Sequence, residues 1–394
     1  MPIIVTPGPR RPGFHRRLLM WWGNRPLLQV AIIGLLAALF ALLATNVGDT
    51  MQRIGISPGF DFLWRSTNFE IGESSIPFSA SDPYIRAVVV GLINTLKVSL
   101  FGCVLATVLG VVIGVAGLSR NLLLAALVRW YIEIIRNTPL LLQLFFWISL
   151  AKAFPAPRQA SAFFGSIYLT NRGVFVPSIA VEGLPMGVAT AVAILIVVYA
   201  VLLFTLFRAG RLNSRNAGFS GLALLFAFLA LLQLAGADIT LEAPALAGFN
   251  IRGGYNLTPE FAALLTGLVV KFAAVIAEIV RAGIQSVNRG QWEAARALGL
   301  HNSQIMRLVV LPQALRVITP LTTSSYLDLT KDSSLAVAIG YPDLVSIINT
   351  TANTTGQSLE ALLILIGTYL VINLAVSALM NEYNRRVALK GTSR

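Results

Sequence analysis

Residues 98–118 contain no charged side chain. An α-helix rises 1.5 Å per residue, so about 20 apolar residues cross the ~30 Å hydrocarbon layer of a bilayer. This stretch is long enough to span by itself. Measured by the same ruler, the other apolar runs fall at 27–45, 138–154, 188–207, 219–237, 259–283, 306–328 and 359–380, which makes eight predicted spans. Charged residues are 12% of the chain, well below the ~25% of a soluble domain. The expected fold is an all-α polytopic membrane protein.

The net charge of +13 invites a nucleic-acid reading, but the basic residues sit in tails and short loops between apolar runs. There they set orientation in the bilayer. Lys and Arg number five in the N-terminal tail, three in 208–218 and four in the C-terminal tail. The intervening loops 48–85, 155–187, 238–258 and 329–358 hold two, two, one and one. The basic segments are therefore expected in the cytoplasm, with both termini. The apolar run after the basic N-terminal patch exceeds the ~7–15 residues of a cleaved signal peptide, so a retained anchor is expected. Nothing points to nucleic acid.

Enzyme chemistry finds no support. There is no GxxxxGK[ST] loop to cradle ATP phosphates and no HExxH. The two histidines, His15 and His301, lie far apart, and the single cysteine, Cys103, sits in an apolar run as a small hydrophobe. No cofactor or metal is expected in this chain.

Polar groups inside spans need a reason, since a charge at mid-span costs about 2.5–3.5 kcal/mol on insertion scales. Candidates for a substrate path are Asn94, Thr95, Gln143, Lys271, Glu278, Asp328, Lys331 and Asp332. Lys97 is expected at the outer membrane edge, its ammonium snorkelling outward. Glu278 and Arg281 are i,i+3 neighbours suited to pairing. Asp328, Lys331 and Asp332 stand within one turn of each other, at an expected outer helix end. Lys271, near mid-span, has no evident partner. Gly102, Gly110 and Gly114 recur on one helix face and permit close helix approach.

One polar stretch stands out, Gln291-Trp292-Glu293-Ala294-Ala295-Arg296-Ala297-Leu298-Gly299-Leu300. Its residues favour helix and Gly299 can end it. Glu293-Ala294-Ala295, Gly299, Val309 and Leu311-Pro312, at this spacing between two spans, resemble the EAA signature of ABC-importer permeases; the family's usual Ile is here Val309. Gly91-Leu92-Ile93-Asn94-Thr95-Leu96, Glu133–Leu144, Ala277–Ile284 and Lys331–Leu335 resemble its polar amino-acid uptake branch, in particular the larger permease of general L-amino-acid transporters.

The resemblance implies a type I permease core in two parts, 86–154 and 258–384. A basic tail (1–26) and an extra span (27–47) precede it. An insertion with two spans (155–257) divides it, and a cytoplasmic tail (385–394) follows. It also implies an ATPase-docking coupling helix over 288–301, carried by Glu293, Ala294, Ala295, Gly299, Leu311 and Pro312. Implied partners are a second, non-identical permease, two ATPase subunits holding ATP and Mg, and a periplasmic amino-acid-binding protein. An ABC permease for another small polar solute, or a secondary transporter, are the alternatives.

Overall fold

The structure, a computed structural model, describes residues 26–53, 59–182 and 238–389. The expected spans 188–207 and 219–237 lie outside the described residues. Among the described residues, five helical stretches are long and apolar enough to cross a membrane: Leu27–Thr50, Tyr84–Ala116, Pro259–Gln285, Asn302–Ile339 and Ser358–Arg385. Two shorter helices, Leu122–Asn137 and Leu140–Ala153, bent by 104° at their junction, pass the same test as a pair. The sequence reading takes 138–154 as a span, and the second helix of the pair fills that range. Pro139 explains the break: it has no N–H and disfavours helix in the residue before it.

In chain order the helices are α1 (Pro26–Arg53), α2 (Tyr84–Ala116), α3 (Leu122–Asn137), α4 (Leu140–Ala153), α5 (Pro259–Gln285), α6 (Arg289–Ala297), α7 (Leu311–Asp332), α8 (Leu344–Thr355) and α9 (Ser358–Leu389). A π-turn, Ile305–Val310, precedes α7, and a 3-10 turn, Ser333–Ile339, follows it.

The centre of the molecule is the α2–α5 pair. A Cβ built on Gly110 would lie 2.7 Å from Ile276 Cβ, and one on Gly114 2.7 Å from the Ala277 carbonyl oxygen. Only glycine allows this approach, the use expected of the small-residue face. Around it Leu144, Leu264, Leu268, Ile276, Ile305, Val310 and Leu329 are buried in one continuous apolar cluster. Most other large apolar side chains of α1, α2 and α9 are exposed, as befits helices whose solvent is lipid.

The bundle is helical, as expected, and short strands cap one end of it. The segments flanking residues 183–237, read as loops, contain eight short strands. Strands β1 (Ala162–Phe163), β2 (Ile167–Thr170), β3 (Gly173–Val176) and β8 (Tyr255–Leu257) form an antiparallel sheet in that order. β4 (Ser178–Glu182) pairs with β5 (Asp238–Glu242), and β6 (Ala245–Ala247) with β7 (Asn250–Arg252). The two halves of the insertion thus close on each other at the end of the bundle opposite α6.

At that strand end, residues 59–83 fold back over the helices. Lys97 does not snorkel outward. It pairs with Glu73 at 2.6 Å, both side chains largely buried, and lies 4.4 Å from the Phe261 ring centroid. The other Glu73 oxygen accepts from the Thr258 hydroxyl.

Candidate functional site

Helix α6 is a short, well-bounded element. The Gly290 N–H donates to Asn288 Oδ1 at 2.8 Å, an N-cap that satisfies one of the donors the first turn leaves open. Gly299 ends the helix at φ +76°, the left-handed conformation glycine adopts without cost. The helix has two faces. Ala295 is buried in the central apolar cluster, and Trp292 and Leu300 pack against that cluster. Glu293, Ala294 and Gly299 are exposed, and Leu298 is 80% exposed. Of the three small residues of the signature, Ala295 therefore serves the chain's own packing. A groove of 690 Å³ runs beside the helix, lined by Leu118, Val287, Arg289, Trp292, Glu293 and Met306 among others.

The Leu311-Pro312 element sits where the π-turn passes into α7. Proline lacks the N–H that the Leu308 carbonyl would accept in a regular helix and crowds that carbonyl, which a wider π-turn accommodates. Immediately beyond, Gln313 Nε2 donates to Val309 O at 2.9 Å and to Gln291 Oε1 at 3.3 Å. This ties α6 to the base of α7. Gln313 was not singled out from sequence; its position directly after Leu-Pro is the only signal.

The charged candidates gather on α3, α5 and α7. Glu278 and Arg281 form the expected pair, with contacts of 2.6 and 2.9 Å. Arg136 lies within electrostatic reach of Glu278. Asp328 and Lys331 are 3.9 Å apart and exposed. Asp332 is half-buried and within electrostatic reach of Lys271. This group is not at the edge of the bundle: Leu329 packs on Gly102, in the middle of α2, and Lys271 stands midway along α5. The sequence reading had put Asp328–Asp332 at an outer helix end.

Three candidates have structural work instead. Asn94 Nδ2 donates to the carbonyls of Glu73 and Pro342, 2.9 Å each, and Thr95 Oγ1 accepts from the Leu344 N–H at 3.0 Å. Both pin the start of α8 to α2, where a Cβ built on Gly91 would touch Leu344 Cα at 3.0 Å. Gln143 Nε2 donates to the carbonyls of Ile135 and Thr138 at the α3–α4 break, 3.0 Å each. Asp343, which sequence reading missed, caps α8 by accepting from the Ser346 N–H at 2.9 Å.

Comparison with known proteins accords with this arrangement. The family described as "Binding-protein-dependent transport system inner membrane component" matches residues 221–389. The chain is 46% identical to a putative amino-acid ABC transporter permease protein, YhdX, of Escherichia coli, over 93% of this chain and 94% of that one. It is 40% identical to the general L-amino acid transport system permease protein AapQ of Rhizobium johnstonii, over 92% and 91% of the two chains. The glutamate/glutamine/aspartate/asparagine transport system permease protein BztB of Rhodobacter capsulatus is 39% identical, over 98% of this chain and 100% of that protein.

Proposed function

The chain belongs to the permease subunits of amino-acid ABC importers, and from that premise we propose how it works. It lines part of the path for L-amino acids of broad side-chain type. Energy enters through α6. The helix docks in a cleft of a separate ATPase, which binds ATP and Mg, while a periplasmic binding protein delivers the amino acid at the strand end. A second, non-identical permease completes the path, and both termini lie in the cytoplasm.

The observation that carries this reading is the two-faced α6. Its buried face is fixed by Ala295 and Trp292, and its outward face offers Glu293, Ala294 and Leu298 to a partner. Glu293 supplies a fixed negative charge for a basic group of the ATPase. The Gln291–Gln313 contact carries the movement of α6 into α7, and α7 holds Asp328, Lys331 and Asp332. These present both signs of charge, the pattern a zwitterion requires. Rocking of the helices between two open states then moves the solute.

Charge reversal at a buried, charge-paired docking site costs of order 2–5 kcal/mol. Glu293→Arg is therefore expected to abolish ATP-driven amino-acid uptake by the reconstituted complex, while the subunit still reaches the membrane. Uptake that follows an ion gradient and ignores ATP would overturn the reading in favour of a secondary transporter.

A further inference from the structure

The α3–α4 break leaves backbone carbonyls without their helical donors beside the middle of α5. Thr138 and Pro139 are extended (ψ 129° and 133°). Pro139 has no N–H, so the Ile135 carbonyl, four residues back, loses the partner a continuing helix would give it. Two side chains replace it. Gln143 Nε2 reaches Ile135 O and Thr138 O. Lys271 Nζ, arriving from α5, donates to Ile135 O at 3.3 Å, Arg136 O at 3.0 Å and Thr138 O at 3.4 Å. The C-terminal end of α3 also carries the negative pole of the helix dipole, which favours a cation there. Beside this cage, the Tyr131 hydroxyl donates to the Val270 carbonyl at 2.8 Å and fixes α3 against α5.

A carboxylate on α7 lies within electrostatic reach. Asp332, at the last residue of α7, is attracted to Lys271, yet no ion pair within 4.0 Å joins them among the described residues. Lys271 thus has two competing sets of oxygens, a carbonyl cage on α3–α4 and a carboxylate on α7. The helix bearing the carboxylate is the one tied to α6 through Gln313.

We propose that Lys271 is a positioning residue of the transport cycle. Its ammonium stands in for the N–H that Pro139 removes and holds the α3–α4 break in its bent form. It passes to Asp332 when α7 moves with α6. This accounts for a mid-span lysine without making it a ligand for the solute, and it rests on the transport reading above.

The test uses the complete transporter in proteoliposomes, with uptake and ATP hydrolysis measured per assembled complex. ATP-driven uptake by the unsubstituted complex is the control: its absence refutes the transport reading itself, whereas its presence makes the following outcomes decisive for Lys271. Lys271→Ala is expected to lose uptake about tenfold or more. Added n-butylammonium restores it by refilling the cage with N–H donors; tetramethylammonium, equally charged but without N–H, does not. Unchanged uptake, restoration by both cations, or restoration by neither overturns the proposal. Should the alanine variant not assemble, Lys271→Arg is expected to keep uptake and Lys271→Gln to lose it, and equal behaviour of the two overturns the proposal. Asp332→Asn is expected to slow uptake by removing the second acceptor. Combined with Lys271→Met, it should add nothing to the poorer single variant; independent, additive losses refute the transfer to Asp332.

Discussion

Asp343 shows what a single side chain can impose. It is 1% exposed, one oxygen caps α8 through the Ser346 N–H, and the other has no hydrogen-bond partner among the described residues. Burial pushes its carboxyl up to about 7 from an ordinary 3.8, and the cap's backbone hydrogen bonds offset this only in part. The folded protein therefore holds the proton more tightly than the unfolded chain. By linkage, stability is greatest below about pH 4, declines as pH rises through about 7, and is level above that. Asp343→Asn keeps a cap acceptor and removes the titration. The melting temperature of the detergent-solubilised wild type is expected to fall between about pH 5 and pH 8, and that of the variant to stay level across the same range. A melting temperature of the wild type that does not fall over that range contradicts this account. Residue type alone marked Asn94 and Thr95 as polar groups in an apolar run. That they serve α8 depends on contacts with residues some 250 positions away, which no local pattern encodes. Lys271 was visible as an unexplained charge for the same reason: its oxygens lie 133 to 136 residues back in the chain.

Elements were legible where one physical rule dominates. Spans followed from apolar length, and α6 from helix formers bounded by Asn288 and Gly299. Angles and junctions were not. Residues 138–154 read as one span, and α4 fills that range, but the 104° bend to α3 and the carbonyl cage depend on how both helices pack on α5. Likewise Leu311-Pro312 was recognised by spacing, whereas the π-turn before it, and the bond from Gln313 to Gln291, appear only when α6 folds back on the base of α7. The junction yields its own prediction. Gln313→Leu keeps size and helix preference but removes the Gln291 contact, at a stability cost of about 1 kcal/mol. The complex should assemble and hydrolyse ATP at near its normal rate, while uptake per ATP falls several-fold. An unchanged ratio of uptake to hydrolysis would mean that the α6–α7 bond transmits nothing.

At the scale of the whole molecule, the insertion is held together by pairings that the chain order hides. Strands of two to five residues, in segments rich in Pro and Gly, carry too weak an alternation to be read as strands. For β3 and β4 the partners stand on the far side of residues 183–237. Val174, Phe175 and Val176 pair with Leu257, Asn256 and Tyr255, and Glu182 pairs with Asp238. The strands that bound this gap are thus joined to each other and also, through β2 and β3, packed on the ends of α4 and α5. That packing makes the described strands an integral part of the permease end opposite α6, and it gives a test of orientation independent of transport. Residues 175 and 256 are antiparallel partners, at a spacing within reach of a disulfide once local backbone adjustment is allowed. In a Phe175→Cys/Asn256→Cys chain, with Cys103 replaced by serine, oxidation should form an intramolecular bridge across 81 positions, seen as a fragment retained after cleavage between them. A membrane-impermeant thiol reagent added outside the cell should block that bridge. Blocking only after the membrane is permeabilised would place the strands in the cytoplasm, reverse the orientation read from the basic loops, and put α6 on the side where no ATP is available.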